Sequence, residues 1–407
     1  MRAESASEHD GPAALAEQAG AVPTTRPLHL RVARGYPAFA EALAHVASEG
    51  CRGTVFQSSE WLRPAAALEL NRGAREVLLT VLSDDHGTLL ALPLAVHGEG
   101  GVRVARFIDG GISDYGAPLM GPAVPRVAAA SSEVWRALAR GLSGIDVLRL
   151  EKLPGVIAGA ANPLAHHSKA RASRFNANRL DVPDTVEAFV ASRGKKYRKE
   201  WERCQRRIAE MGIVTFERAA TSDAIEKAYR QLEAWQSTRH REAGHAYALD
   251  DTATSRFYLD LLLAHADSGF AGIFTLSVAG QPVAILYGVA RDGTFTLLRI
   301  ADAGEDWKTV SPGRLVVLET MRHFLERGVR TFDMGIGDYP FKHWIGCEQH
   351  PLFDLVLART LKGMPHVAVH QARAWARSTP AVANALRRLR SGVAGMRGGA
   401  SGGSPAV

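Results

Sequence analysis

Asp333, Asp338, Tyr339 and Lys342 lie within one run, Phe332-Asp333-Met334-Gly335-Ile336-Gly337-Asp338-Tyr339-Pro340-Phe341-Lys342. Carboxylates so placed could take or hold a proton, a phenol could give one, and a lysine could bind phosphate or carboxylate. Each residue also has a purely structural use: Asp338 in a turn after Gly337, Tyr339 in packing, Asp333 paired with Lys342. Upstream, Ser311-Pro312-Gly313-Arg314 has the composition of a helix start, with a capping serine, proline at the first position and a glycine that admits a ligand to the backbone. Unpaired N–H groups and the positive dipole end there suit an anionic pyrophosphate. A third run, Asp109-Gly110-Gly111-Ile112-Ser113-Asp114-Tyr115, could turn tightly and project Asp114 and Tyr115 toward an acceptor; an Asx-type turn with a packed tyrosine is the alternative. No Gly-x-Ser-x-Gly elbow or zinc-ligand spacing occurs. His240 with His245 and Cys347 with His350 are isolated pairs, so no metal and no covalent nucleophile is expected.

The surrounding sequence must position these groups. Gln281 to Ala290 and Thr294 to Ala301 are apolar and β-branched around Asp292-Gly293, which predicts a hairpin. Leu315, Leu318, Met321 and Leu325 then recur at helical spacing until Gly328, and Arg330 to Met334 reads as a strand. Ile213 to Arg218 and Ile273 to Val278 are further strands, with helices over Asp223 to His240 and Ser255 to Ala266. The first half offers the same order: a strand at Leu28 to Ala33, helices through Phe39 to Val46 and Trp61 to Leu70, and strands at Val77 to Ser83, Leu89 to His97 and Val102 to Ile108. A helix at Val134 to Leu142 and a strand at Asp146 to Glu151 close it. This order predicts a duplicated mixed α/β unit, each copy a mostly antiparallel sheet flanked by helices.

The chain has 407 residues, 46% of them hydrophobic, enough for two cores. The expected division is a disordered leader over 1–27, an N-terminal domain over 28–180, a C-terminal domain over 181–361, and a basic tail over 362–407. The net charge of +7 is concentrated: eight Lys or Arg face two Glu between Arg193 and Arg207, and the tail holds seven basic residues and no acidic one. The body is therefore mildly acidic. Within the basic segment Tyr197, Trp201, Cys204 and Ile208 form an apolar helical face, which predicts an amphipathic helix packed on the second domain rather than a specific nucleic-acid reader. In the tail, Val382, Leu386, Leu389 and Val393 align after Thr379-Pro380, a short helix that could make weak contact with an anionic membrane surface. Three widely separated cysteines, and no signal or membrane-spanning run, lead to the expectation of a cytoplasmic protein.

The element order from Ala279 to Trp344, the Ser311-Pro312-Gly313-Arg314-Leu315 start and the close at Lys342-His343-Trp344 resemble the GNAT acyl-CoA acyltransferase superfamily. Within it, roughly residues 28 to 360 resemble the CelD/BcsL-type, cellulose-biosynthesis-associated branch, relatives of the Fem-type aminoacyltransferases. The superfamily's Gln/Arg-x-x-Gly-x-Gly/Ala pyrophosphate loop is replaced by Ser311-Pro312-Gly313-Arg314. The resemblance implies tandem GNAT-like domains and transfer of an acyl group, acetyl above all, from acyl-CoA to an amine in polysaccharide or envelope metabolism. It implies the donor at Ile300, Ser311, Gly313, Arg314 and Met334, the acceptor at Asp114, Tyr115, Lys342 and Trp344, and acid–base chemistry among Asp333, Asp338 and Tyr339. Two rivals stay open: aminoacyl transfer from a charged tRNA, and a non-catalytic scaffold of exopolysaccharide assembly.

Overall fold

The computed structural model describes residues 27–122, 132–244 and 247–378. The first half runs β1 (His29–Arg34), α1 (Tyr36–Ser48), α2 (Ser59–Asn71), β2 (Glu76–Asp84), β3 (Gly87–Glu99), β4 (Val102–Phe107), β5 (Leu119–Met120), α3 (Ser132–Gly141) and β6 (Val147–Pro154). A small hairpin, β7 (Val156–Ile157) and β8 (Ala160–Ala161), leads to β9 (Arg171–Asp181). The second half runs α4 (Val186–Ser192), α5 (Lys195–Glu210), β10 (Val214–Arg218), α6 (Ser222–Glu242), α7 (Thr252–Ala264), β11 (Ala271–Val278), β12 (Gln281–Arg291) and β13 (Thr294–Asp302). It closes with α8 (Pro312–Leu325), β14 (Thr331–Ile336), α9 (Pro340–Ile345), β15 (Glu348–Ala358) and α10 (Gly363–Ser378).

One mixed sheet joins both halves in the order β1-β2-β3-β4-β6-β15-β9-β14-β13-β12-β11-β10, with β5 on β3. The order is symmetric about the β15–β9 pair, because each half gives its last strand to the other's side: β9 lies against β14, and β15 against β6. Two pairs are parallel, β4 with β6 and β13 with β14, and the remaining ladders are antiparallel. Strands β2, β3, β11 and β12 are buried almost continuously because helices cover both faces, which explains their unbroken apolar runs.

On one face α2 packs against α7, and α1 and α6 join them in one core around Phe39, Trp61, Tyr229, Phe257 and Tyr258 that is common to both halves. Trp61 meets Phe257 edge to face at 5.2 Å. On the other face each half keeps its own core, under α3 in the first and under α4, α5 and α8 in the second. The basic segment forms the expected amphipathic helix: in α5, Tyr197, Cys204 and Ile208 are buried, and the basic side chains lie on the other side.

Several local readings differ from the fold. β9 and β15 lacked alternating apolar patterns flanked by turns and were not anticipated as strands. The segment after Tyr339, read as loop, is the short helix α9, begun by Pro340 and ended by Gly346 in the left-handed region. Ser311 does occupy the N-cap of α8, but at φ 50° and with no side-chain capping bond. The expected leader and the tail helix after Ser378 lie outside the described residues, as does His245.

Candidate active site

β13 and β14 are paired through Thr294–Thr296 and Thr331–Asp333 alone. Beyond that point a bulge at Leu298 turns β13, since Gly288 faces Leu297 while Tyr287 faces Arg299. The two strands splay and leave a notch at their C-terminal ends. Asp114, delivered by the loop after β4, fills that notch: its carboxylate accepts from the Ile336 N–H at 3.2 Å and lies over Gly335.

The loop that carries Asp114 is held at its base. Gly110 and Gly111 take positive φ at 55° and 73°, which turns the chain back. Glu69 of α2 accepts from the N–H groups of Asp109 and Gly110 at 3.2 and 2.7 Å. Burial would raise Glu69, but the bonds from His97, Gly110 and Asp109 and the Arg106 charge outweigh it and hold the carboxyl at about 2. Lys152 closes the loop from β6, 2.7 Å from Asp109.

Beside the notch, Asp333 is 2% exposed and saturated with donors. It accepts from the Tyr115 hydroxyl at 2.6 Å, from the Arg179 guanidinium at 2.9 Å and from the Gly335 N–H at 2.8 Å. Arg179 is the cross-strand neighbour of Asp333 on β9, so the strand exchange itself makes this ion pair. Lys342, also buried, turns inward and donates to the carbonyls of Gly335 and Ile336 at 3.1 and 2.7 Å, and Asn178 donates to Gly335 and Gly337. The carbonyls of the β14 turn are thereby tied to both halves.

Burial, then the charge of Asp333, push Asp114 up to about 6, against the pull of Lys152, the Ile336 N–H and Lys342. A carboxyl near neutrality is suited to take a proton from a bound ammonium and to release it again. A cavity of about 260 Å³ lies over the paired part of β13 and β14, lined by Tyr115, Arg179, Thr294, Thr296, Thr331 and Asp333, with Arg52 and Arg291 among the residues around it; Asp114 is not among its lining residues.

Of the residues expected at the site, Asp114, Tyr115, Asp333 and Lys342 meet here. Asp338 and Tyr339 do not: Tyr339 is 58% exposed, and Asp338 pairs with His343 at the surface. Asp333 pairs with Arg179 rather than with Lys342. Met334 and Ile300 belong to the core under α8. Arg314 is committed to Glu200 at 2.5 Å and lies 4.1 Å from the Trp344 ring centre, while Trp344 stacks on Tyr197 at 4.2 Å. At the start of α8 a side chain on Gly313 would begin 3.0 Å from the Asp302 carboxylate, which Arg239 neutralises at 3.1 Å. Arg179, Asn178 and Lys152 escaped sequence reasoning because no turn or motif marks β9 or the end of β6. Among the described residues no cluster of His, Cys, Asp and Glu could hold a metal ion, and no helix is long and apolar enough to cross a membrane.

Gly335 sits at φ 69°, and a Cβ there would meet Asp114 Oδ2 at 2.2 Å. Gly335→Ala is expected to lose about 1–3 kcal/mol of stability from backbone strain, with more from displacing a carboxylate that has no room to retreat. Urea unfolding of the variant measures it; an unchanged midpoint would mean that Asp114 does not occupy the notch.

Residues 195–343 match the family model described as an acetyltransferase (GNAT) domain. Among solved structures, FemX is similar over 81% of this chain and 97% of its own at 12% identity and a TM-score of 0.54, a likeness of fold. A tandem GNAT protein from the clavulanic acid biosynthesis pathway aligns over 82% of this chain and 99% of its own, at 13% identity and a TM-score of 0.41. The C-terminal domain of a putative lysylphosphatidylglycerol synthetase from Agrobacterium fabrum covers 82% and 96%, at 14% and 0.46. No protein with a curated description matches the sequence. Residues 195–343 thus carry a GNAT-type acetyltransferase domain, which makes this chain an acyltransferase.

Proposed function

We propose that the protein is an N-acyltransferase that moves an acyl group, acetyl above all, from an acyl-CoA to an amine. The observation that carries this reading is the Asp114 carboxyl, held at about 6, in the notch between the splayed strands β13 and β14. Acyl-CoA would supply the thioester carbon that the amine attacks. Asp114 takes the proton that the bound ammonium must lose before the amine attacks, the remaining surplus proton on that nitrogen passes to the CoA thiolate as the C–S bond breaks, and backbone N–H groups of β13 beyond its pairing with β14 would face the carbonyl oxygen as negative charge develops on it. Asp333 does not exchange protons in this scheme; with three donors on it, it holds Tyr115 and so fixes the Asp114 loop.

The residues present are compatible with a CoA chain along the free edge of β13. Gly313 leaves room at the start of α8, and the pairing of Asp302 with Arg239 removes the nearest repulsive charge from a pyrophosphate there. Gly313→Glu would fill that space with a second carboxylate. Titration calorimetry with acetyl-CoA and longer acyl-CoAs is expected to give saturable binding that the variant loses by at least ~100-fold, equal to about 2.7 kcal/mol. Equal affinity in both proteins would remove α8 from the donor site, and no binding in either would sink the acyl-CoA reading.

The resemblance to CelD/BcsL-type and Fem-type proteins supports an acceptor from polysaccharide or envelope metabolism and a cytoplasmic location, with the reduced state of Cys51, Cys204 and Cys347 in keeping. The exposed basic face of α5 favours one rival, tRNA-dependent aminoacyl transfer. That rival requires RNA retention that weakens steeply as salt rises, which a filter-binding salt series reads directly.

A further inference from the structure

Arg299, one residue past the β13 bulge, points to the face shared by α6 and α7, opposite Tyr287. Its guanidinium lies 4.8 Å from the Tyr258 ring centre, and the groups acting on it are tyrosines: Tyr258, Tyr247 and Tyr229. Burial keeps those phenols protonated, and their hydroxyl protons go elsewhere: Tyr258 to the Ile112 carbonyl at 3.1 Å, Tyr229 to the Ser255 carbonyl at 3.0 Å, Tyr247 to Gln236 at 3.0 Å. The tyrosines therefore supply no counter-charge. Glu233, Asp250, Asp109 and Asp114 act on the same tyrosines, but none forms an ion pair with Arg299; Glu233 takes the Ser255 hydroxyl proton, and Asp302 pairs with Arg239. Among the described residues Arg299 has no ion-pair partner, and its Nε–H is buried without an acceptor.

A largely buried guanidinium without a contacting anion costs stability, and part of that cost is recovered when an anion reaches it. We infer that Arg299 is the anchor for an anionic group, a carboxylate or phosphate, on the amine acceptor. Tyr258, whose ring lies 4.8 Å from this guanidinium and whose hydroxyl oxygen accepts from it, also donates to Ile112 in the loop that carries Asp114. An acceptor anchored at Arg299 thus lies on the Asp114 side of β13, with its amine toward the base. This assignment of acceptor class rests on the acyltransferase reading above, whereas the anion site itself does not.

The test is thermal unfolding of the full chain, wild type and Arg299→Met, in chloride, acetate or phosphate at matched ionic strength, with acetyl-CoA titration of both proteins alongside. The wild type should unfold about 2 °C or more higher in phosphate or acetate than in chloride, and the better anion identifies the group. Arg299→Met should lose that increment, should unfold no earlier than the wild type in chloride, and should bind acetyl-CoA equally well. An increment that survives in Arg299→Met, or is missing from the wild type, overturns the site. So does earlier unfolding of the variant in chloride, which would make the guanidinium a packing element on Tyr258. Absence of acetyl-CoA binding in both proteins would overturn the acyltransferase reading while leaving the anion result standing.

Discussion

Asp114→Asn is expected to abolish most turnover and yet make the protein more stable above pH 6. The wild-type carboxyl, 3.8 in its ordinary setting and about 6 here, favours the protonated form in the folded state. Its favourable contribution is therefore complete below about pH 3.8 and is lost as pH rises through about 6, where ionised Asp114 costs on the order of 3 kcal/mol. Asparagine keeps an oxygen for the Ile336 N–H and never ionises. Its stability advantage should be about 1–3 kcal/mol at pH 8 and close to zero at pH 4, measured by urea unfolding at both values. In the wild type, kcat/KM should fall as pH drops below about 6, because the base must be ionised, and the variant should lose roughly 10²- to 10⁴-fold in kcat. Full activity in Asp114→Asn would remove it from the chemistry, while an unchanged stability difference between the two pH values would remove its perturbed ionisation.

Asp333→Ala should be the most damaging single change at the junction of the halves. It removes the acceptor of three hydrogen bonds, strands the Arg179 guanidinium and frees the Tyr115 hydroxyl in a buried site. Breaking one partner out of such a pair costs about 3–5 kcal/mol, most of it from the charge left behind. Adding Arg179→Met should therefore recover part of the loss, with a coupling of about 1–3 kcal/mol in a double-mutant cycle. Additive losses would show that the pair is not a unit. Asp333→Asn separates roles more gently: if Asp333 serves the amine directly, turnover falls far more than donor affinity, and if it holds Tyr115 and the Asp114 loop, stability falls with it.

The strand exchange gives these predictions their shape. Because β9 and β15 cross to opposite sides, Asp333 meets Arg179 as a cross-strand neighbour, and Tyr115 reaches Asp333 across more than two hundred residues of chain. The site is thus assembled from both halves, and the shared core of α1, α2, α6 and α7 braces it from one face. A rigid junction of this kind is what a base needs if its distance to a bound amine is to stay within hydrogen-bond reach.

The local chemistry of the chain was sufficient to identify the repeated mixed α/β unit, the hairpin at Asp292-Gly293, the helix that begins after Ser311 and the amphipathic α5, since each depends on periodicity and turn residues within a few positions. Asp114, Tyr115, Asp333 and Lys342 stood out for the same reason, being polar groups in glycine-bearing loops. Their partnership was decided by tertiary structure: Lys342 turns inward to carbonyls instead of to Asp333, Arg179 arrives on a strand without a turn or motif to announce it, and Asp338 and Tyr339, adjacent in sequence, stay at the surface. The elevation of Asp114 and the uncompensated charge of Arg299 are likewise invisible along the chain, because desolvation and the absence of a counter-ion are properties of what surrounds a group in space, not of what precedes it in sequence.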